Sequence, residues 1–146
     1  MKRIIIIGAI ILAAVYFGFA KDKRVSIHNI VETSYSSDNI IKSAFKNHTN
    51  NLQVEGQGVV IRILPDDLKG SRHQRFIVRL NSGQTLLIAH NIDLAPRVIS
   101  LRKGDKISFN GVYEWNSKGE TIHWTHHDPG GRHTAGWIKH HGKKYQ

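Results

Sequence analysis

The sequence predicts an all-β fold: a small five-stranded Greek-key barrel of OB-like type, with an N-terminal signal or anchor helix and a short helix before the barrel. Three observations carry this. From Leu52 onward the chain runs in short alternating segments bounded by Gly, Asn, Asp and Ser. Five such segments are found, whereas a β-sandwich needs about seven. The first is long and contains Gly56 and Gly58, which let a strand bend sharply, and a longer connection falls between the third and fourth, where an OB barrel carries its helix.

Each element has its reason. Lys2 and Arg3 precede an uncharged run from Ile4 to Ala20, Gly18-Phe19-Ala20 is a small-x-small triplet, and Lys21 to Arg24 restores the charge. Residues 1–20 therefore read as a signal peptide cleaved after Ala20. Retention of residues 4–20 as a membrane anchor is the alternative. Either way the remainder is expected to be exported to the periplasm or cell envelope. Residues 21–51 form a polar tether and a short helix, with Ser36-Ser37-Asp38 as N-caps and Ile40, Ile41, Ala44 and Phe45 as one apolar stripe. Residues 52–146 form the barrel domain with a His-rich C-terminal segment.

Within it the first strand runs from Val54 to Leu64, followed by a turn-rich loop, Pro65 to Ser71. The second, Gln74 to Leu80, places Phe76, Val78 and Leu80 on one face. Asn81-Ser82-Gly83 turns into the third, Gln84 to Ala89. The connection from His90 to Leu101 is expected to hold a helical turn starting at Asp93. The fourth strand covers Lys106 to Trp115 and the fifth Glu120 to Thr125. Pro129 to Gln146 has too many Gly and His for a good helix, and Trp137 and Ile138 pack it on the barrel.

Composition bounds the chemistry. The 146 residues include no cysteine, which excludes disulfides, thiolate zinc sites and a cysteine nucleophile. No GxSxG elbow, phosphate-binding lysine loop, GxGxxG or HExxH is present. Lys plus Arg is 21 against 11 for Asp plus Glu, a formal charge of +10. Loss of the two cations Lys2 and Arg3 with the signal segment lowers it to +8. Such a charge favours an anionic partner: envelope lipid, polysaccharide or nucleic acid. Membrane association follows if residues 1–20 are kept, and the chain is expected to be a monomer.

Ten histidines are the unusual feature. His123, His127, Asp128 and His133 crowd a Gly-Gly turn, and His90 and Asp93 follow the third strand. These six are the candidate pocket, able to hold zinc or manganese or to do acid–base work. Asp66, Asp67, Arg72 and His73, in the loop after the first strand, are secondary candidates, because loops at one end of a barrel can converge. Arg132, Lys139, Lys143 and Lys144 are candidate anion contacts, with Trp115 and Tyr145 as stacking platforms. His140 and His141 read as a solvated tail that holds no metal. The expected function is an exported OB-fold binding module for an anionic envelope or nucleic-acid ligand. The alternative is a metal-dependent hydrolase of nuclease or phosphodiesterase type.

The stretches GQGVVIRILPDDLKGSRHQRF, LLIAHNIDLAPR, GDKISFNGVYEWN and HWTHHDPGGRHTAGWI, spread over residues 50–146, resemble a bacterial envelope family, domain-of-unknown-function family 3465. The resemblance implies a single exported domain and no assigned activity. A fainter similarity is to thermonuclease-like OB nucleases, whose glutamate base has no counterpart here. A second is to small periplasmic OB-fold proteins that act as binding modules.

Overall fold

The computed structural model describes residues 36–146. The signal or anchor segment and the tether up to residue 35 lie outside the described residues. Among the described residues no helix is long and apolar enough to cross a membrane.

The chain enters as a helix, α1, over residues 36–46. It stops because His48 adopts a left-handed φ of 52°. The Thr49 N–H then reaches the Ala44 carbonyl at 2.9 Å and the His48 N–H the Phe45 carbonyl at 3.2 Å, closing a Schellman motif. Ser36 to Asp38 already lie inside the helix and are not the N-caps that were expected. Asp38 is buried instead, and its Oδ2 accepts the Ser82 N–H at 2.8 Å. The packed face is Asp38, Ile41 and Ala44 at a spacing of three, so half the expected stripe, Ile40 and Phe45, stays about half exposed.

Seven strands follow: β1 (Leu52–Ile63), β2 (His73–Arg79), β3 (Thr85–Asn91), β4 (Lys106–Asn116), β5 (Gly119–His123), β6 (Trp137–His140) and β7 (Lys143–Tyr145). The sheet order is β1-β2-β3-β5-β4-β6-β7, and an additional β1–β4 pairing closes the first five into a barrel. β3 and β5 run parallel, and the other neighbours are antiparallel. β1 serves both edges of the closure. Leu52 to Val59 pair with β4, and Val59 to Ile63 pair with β2 across a bulge between Val60 and Arg62. Gly58 makes the bend possible, since a Cβ there would lie 2.5 Å from the Arg79 carbonyl oxygen. Alternation fills the interior with Val60, Phe76, Val78, Leu86, Ile88, Phe109, Tyr113 and Ile122, joined by Ile41 from α1 and Ile138 from β6.

Three features of the connections matter for the site. The connection from 92 to 105 holds the expected helical turn, closed by the Ala95 N–H on the Asn91 carbonyl at 3.1 Å, but the turn starts at Asn91 rather than Asp93 and does not continue into a helix. It is pinned by Gln74, whose side chain exchanges two hydrogen bonds with the Val98 backbone. β5 ends at His123 rather than Thr125, because Trp124 turns to a φ of 53°. Residues 124–136 then make an excursion, and β6 returns to the β4 edge where β5 left it: Val112 pairs with His123, and Asn110 with Trp137. β5 and β6 are thus one interrupted strand. The crossing point admits only glycine, since a Cβ on Gly136 would lie 1.9 Å from the Trp124 carbonyl oxygen. The β6–β7 hairpin was not foreseen. It buries Tyr145 and also His140, which therefore does not belong to a solvated tail.

Candidate functional site

The β1–β2 loop, the β3–β4 connection and the 124–136 excursion all leave the same end of the barrel, as the barrel plan implied. They are tied together there. The Arg97 guanidinium grips Asp66 through two bonds of 2.7 and 3.1 Å, and the Ile92 N–H donates to the Arg72 carbonyl at 2.9 Å. Between them lies an open cleft of about 290 Å³, lined by His73, Asn91, Leu94, His123, Trp124 and His126.

Its walls are mostly rings. Trp124 stands 5.3 Å from the His126 ring and carries His133 stacked on it at 4.0 Å. His73 donates Nδ1–H to the Ser71 carbonyl at 2.7 Å, and His126 donates Nδ1–H to the His127 carbonyl at 2.7 Å, which leaves Nε2 as the basic nitrogen of each neutral ring. His123 Nε2 is buried without a hydrogen-bond partner. Glu114 Oε1 is 3.7 Å away, too far for a hydrogen bond but near enough to pair with the protonated ring. Burial holds the His123 pKa below the usual histidine range. Glu114 opposes that shift, while His73 and His133 reinforce it.

The six-residue pocket read from the sequence is divided. His123 lines the cleft, and His133 backs the indole. His90 is fully buried inside the barrel, its Nε2–H on the Pro96 carbonyl at 3.1 Å and its Nδ1 accepting the Thr125 hydroxyl at 2.8 Å. Asp93 accepts from Arg72 twice, at the backbone N–H (2.7 Å) and at Nε (2.6 Å), and these bonds lower its pKa. Asp128 accepts the Gly130, Arg132 and His133 backbone N–H groups at 2.9, 2.7 and 3.0 Å, so it caps the turn and its pKa is lowered too. His127 is exposed and donates no side chain to the cleft lining. The expected ligand carboxylates are therefore engaged with N–H groups.

Of the secondary set, His73 enters the cleft, Asp66 holds Arg97, and Asp67 caps the Lys69 N–H. The stacking platforms fall differently as well. Tyr145 is buried beneath Lys143, and Trp115 is covered by His48 at 3.8 Å. Lys139 and Lys144, paired across β6 and β7, both lie over Trp137, at 4.7 and 5.6 Å. Trp124 and His126 were missed as cleft residues. The signal that could have found Trp124 is its place beside the Gly-rich turn, where a strand end frees a large ring.

Outside the cleft, Asp105, His140 and His141 bring ligand atoms within 4.8 Å of one another. No curated protein matches the chain. A family model described as "Protein of unknown function (DUF3465)" matches residues 25–146, a span that takes in α1, the closed barrel, the ring-lined cleft and the terminal hairpin. The chain therefore belongs to this family, DUF3465.

Proposed function

We propose that the domain is an exported binding module for single-stranded nucleic acid, within the class of anionic envelope and nucleic-acid ligands that its charge favours. One observation carries the reading: the cleft at the barrel end is walled by the rings of His73, His123, Trp124 and His126. A nucleobase gains about 1–3 kcal/mol per stacked ring, whereas a tetrahedral lipid phosphate has no flat face to offer. Phosphates find cations close by in sequence, at Arg132 within the excursion and at Lys139 and Lys144 just beyond it. The metal-dependent hydrolase draws less support, because Asp93 and Asp128 are engaged by N–H groups.

Fluorescence anisotropy with a labelled oligothymidylate of about 15 nucleotides tests this. Binding is expected at low salt, with log K falling by about 0.7 per phosphate contact for each tenfold rise in salt. Trp124→Ala should weaken it about tenfold or more, and Lys139→Glu with Lys144→Glu should weaken it more than Lys42→Glu with Lys46→Glu. Absence of oligonucleotide binding at low salt overturns the nucleic-acid reading. Binding to lipopolysaccharide or anionic vesicles in its place would assign an envelope ligand. Cell fractionation checks the location, and a cytosolic chain would remove the exported part.

A further inference from the structure

We infer that Asp105, His140 and His141 form a site for one divalent transition-metal ion, zinc by their chemistry, at the turn of the β6–β7 hairpin. Their ligand atoms lie within 4.8 Å of one another. The site is built rather than casual. Asp105 is fixed at both ends: its backbone carbonyl accepts the Val60 N–H at 2.8 Å, and its Oδ2 accepts the Arg102 N–H at 2.8 Å. His140 is buried, and its Nε2 is 2.9 Å from the same Oδ2. A hydrogen bond between these two would need nothing more.

His141 is the surplus that points to a ligand. It occupies the first position of a two-residue turn, at φ 47°, with Gly142 at φ 77°. That turn type favours Asn ahead of the glycine, and a histidine there holds a strained left-handed backbone. The turn lays the His141 ring on the His140 ring, with centroids 3.9 Å apart and planes 25° apart. The turn thus holds a second imidazole beside the first, with its ligand atom close enough to those of His140 and Asp105 for one cation. Two imidazole nitrogens and one carboxylate oxygen are an ordinary zinc set, with a fourth position open to water. Two tetrahedral zinc ligands stand roughly 3.3 Å apart, so the present 2.9 Å pair need open by only a few tenths of an ångström. The ion would clamp to the barrel a hairpin whose last strand has three residues and, among the described residues, pairs only with β6.

The test uses the full chain, purified without a histidine tag, stripped by chelator and titrated with zinc chloride in a calorimeter. One equivalent is expected to bind. The melting temperature should rise by roughly 10 °C at a free zinc concentration of about 100 Kd. His141→Ala and Asp105→Asn should each cost at least about tenfold in affinity with an unchanged circular dichroism spectrum, and His127→Ala and His133→Ala should cost nothing. His140 is buried, so the test rests on its two more accessible partners. Substoichiometric binding, wild-type affinity in His141→Ala, or an equal loss in His127→Ala and His133→Ala would each overturn the site.

Discussion

His90 occupies an interior position that its neighbours Leu86 and Ile88 fill with aliphatic chains. Burial, aided by His126, holds its pKa below 6.5, and the bonds to Pro96 and Thr125 oppose that shift without cancelling it. Because the folded pKa lies below the unfolded one, the unfolded chain takes up the proton first as pH falls. The stability this group contributes is present above about pH 6.5 and is lost as pH falls from there toward the folded pKa. The lowered carboxylates, Asp93, Asp105 and Asp128, act in a separate window below pH 3.8. Melting temperatures at pH 7.5 and 5.5 should therefore differ, with the acidic one lower. The difference should shrink in His90→Leu; His123, also lowered, adds in the same direction, and Glu120, raised by burial, opposes both. An undiminished difference would refute the assignment. Thr125→Val leaves Nδ1 without its donor and should cost about 1–3 kcal/mol in urea unfolding. At this scale the sequence was partly legible. Ending the third strand at Ala89 put His90 in a loop, whereas two more residues of the same alternation turn it inward. Asp128 looked like a ligand because the turn that needs its oxygens, Gly130-Gly131, is also what would gather ligands.

The elements were easier to read than their joins. All five expected strands agree with the structure to within two residues at both ends, because alternation over five or more residues is unambiguous. β6 and β7 have four and three residues, too short for a period, and their Lys and His content disguised them. The fifth strand's stop was hidden as well, since it depends on the φ of Trp124 and not on residue type. The interruption rests on Gly136, whose missing Cβ lets two backbones cross. Gly136→Ala would push a carbonyl aside and should cost more than about 3 kcal/mol in denaturant unfolding. Gly130→Ala is the contrast: its Cβ would meet the Arg132 side chain at 3.0 Å, which can swing away, so it should be nearly neutral. Equal costs would mean that the crossing is not what sets the break.

For the molecule as a whole, the OB plan carried the most information. It placed three connections at one end, and that is where the cleft lies. What it could not supply was which carboxylates remain free, because that depends on N–H donors contributed by distant loops. The parallel contact of β3 with β5 is likewise a property of closure and leaves no local trace. One consequence follows from the interrupted strand. The β4 partners of His123 and Trp137, Val112 and Asn110, have only Gly111 between them, so the strand line along β4 needs a single residue where the chain spends residues 124–136. The 124–136 segment is then an exchangeable cassette, and lengthening it costs only loop-closure entropy, about 0.6 kcal/mol per doubling. A chain with Trp124→Thr and His90→Leu, lacking residues 125–136, should keep the strand-rich circular dichroism spectrum and lose oligonucleotide binding. If it unfolds, the cassette is part of the wall. If it folds, the same container can be refitted for a new ligand by rewriting one stretch of sequence.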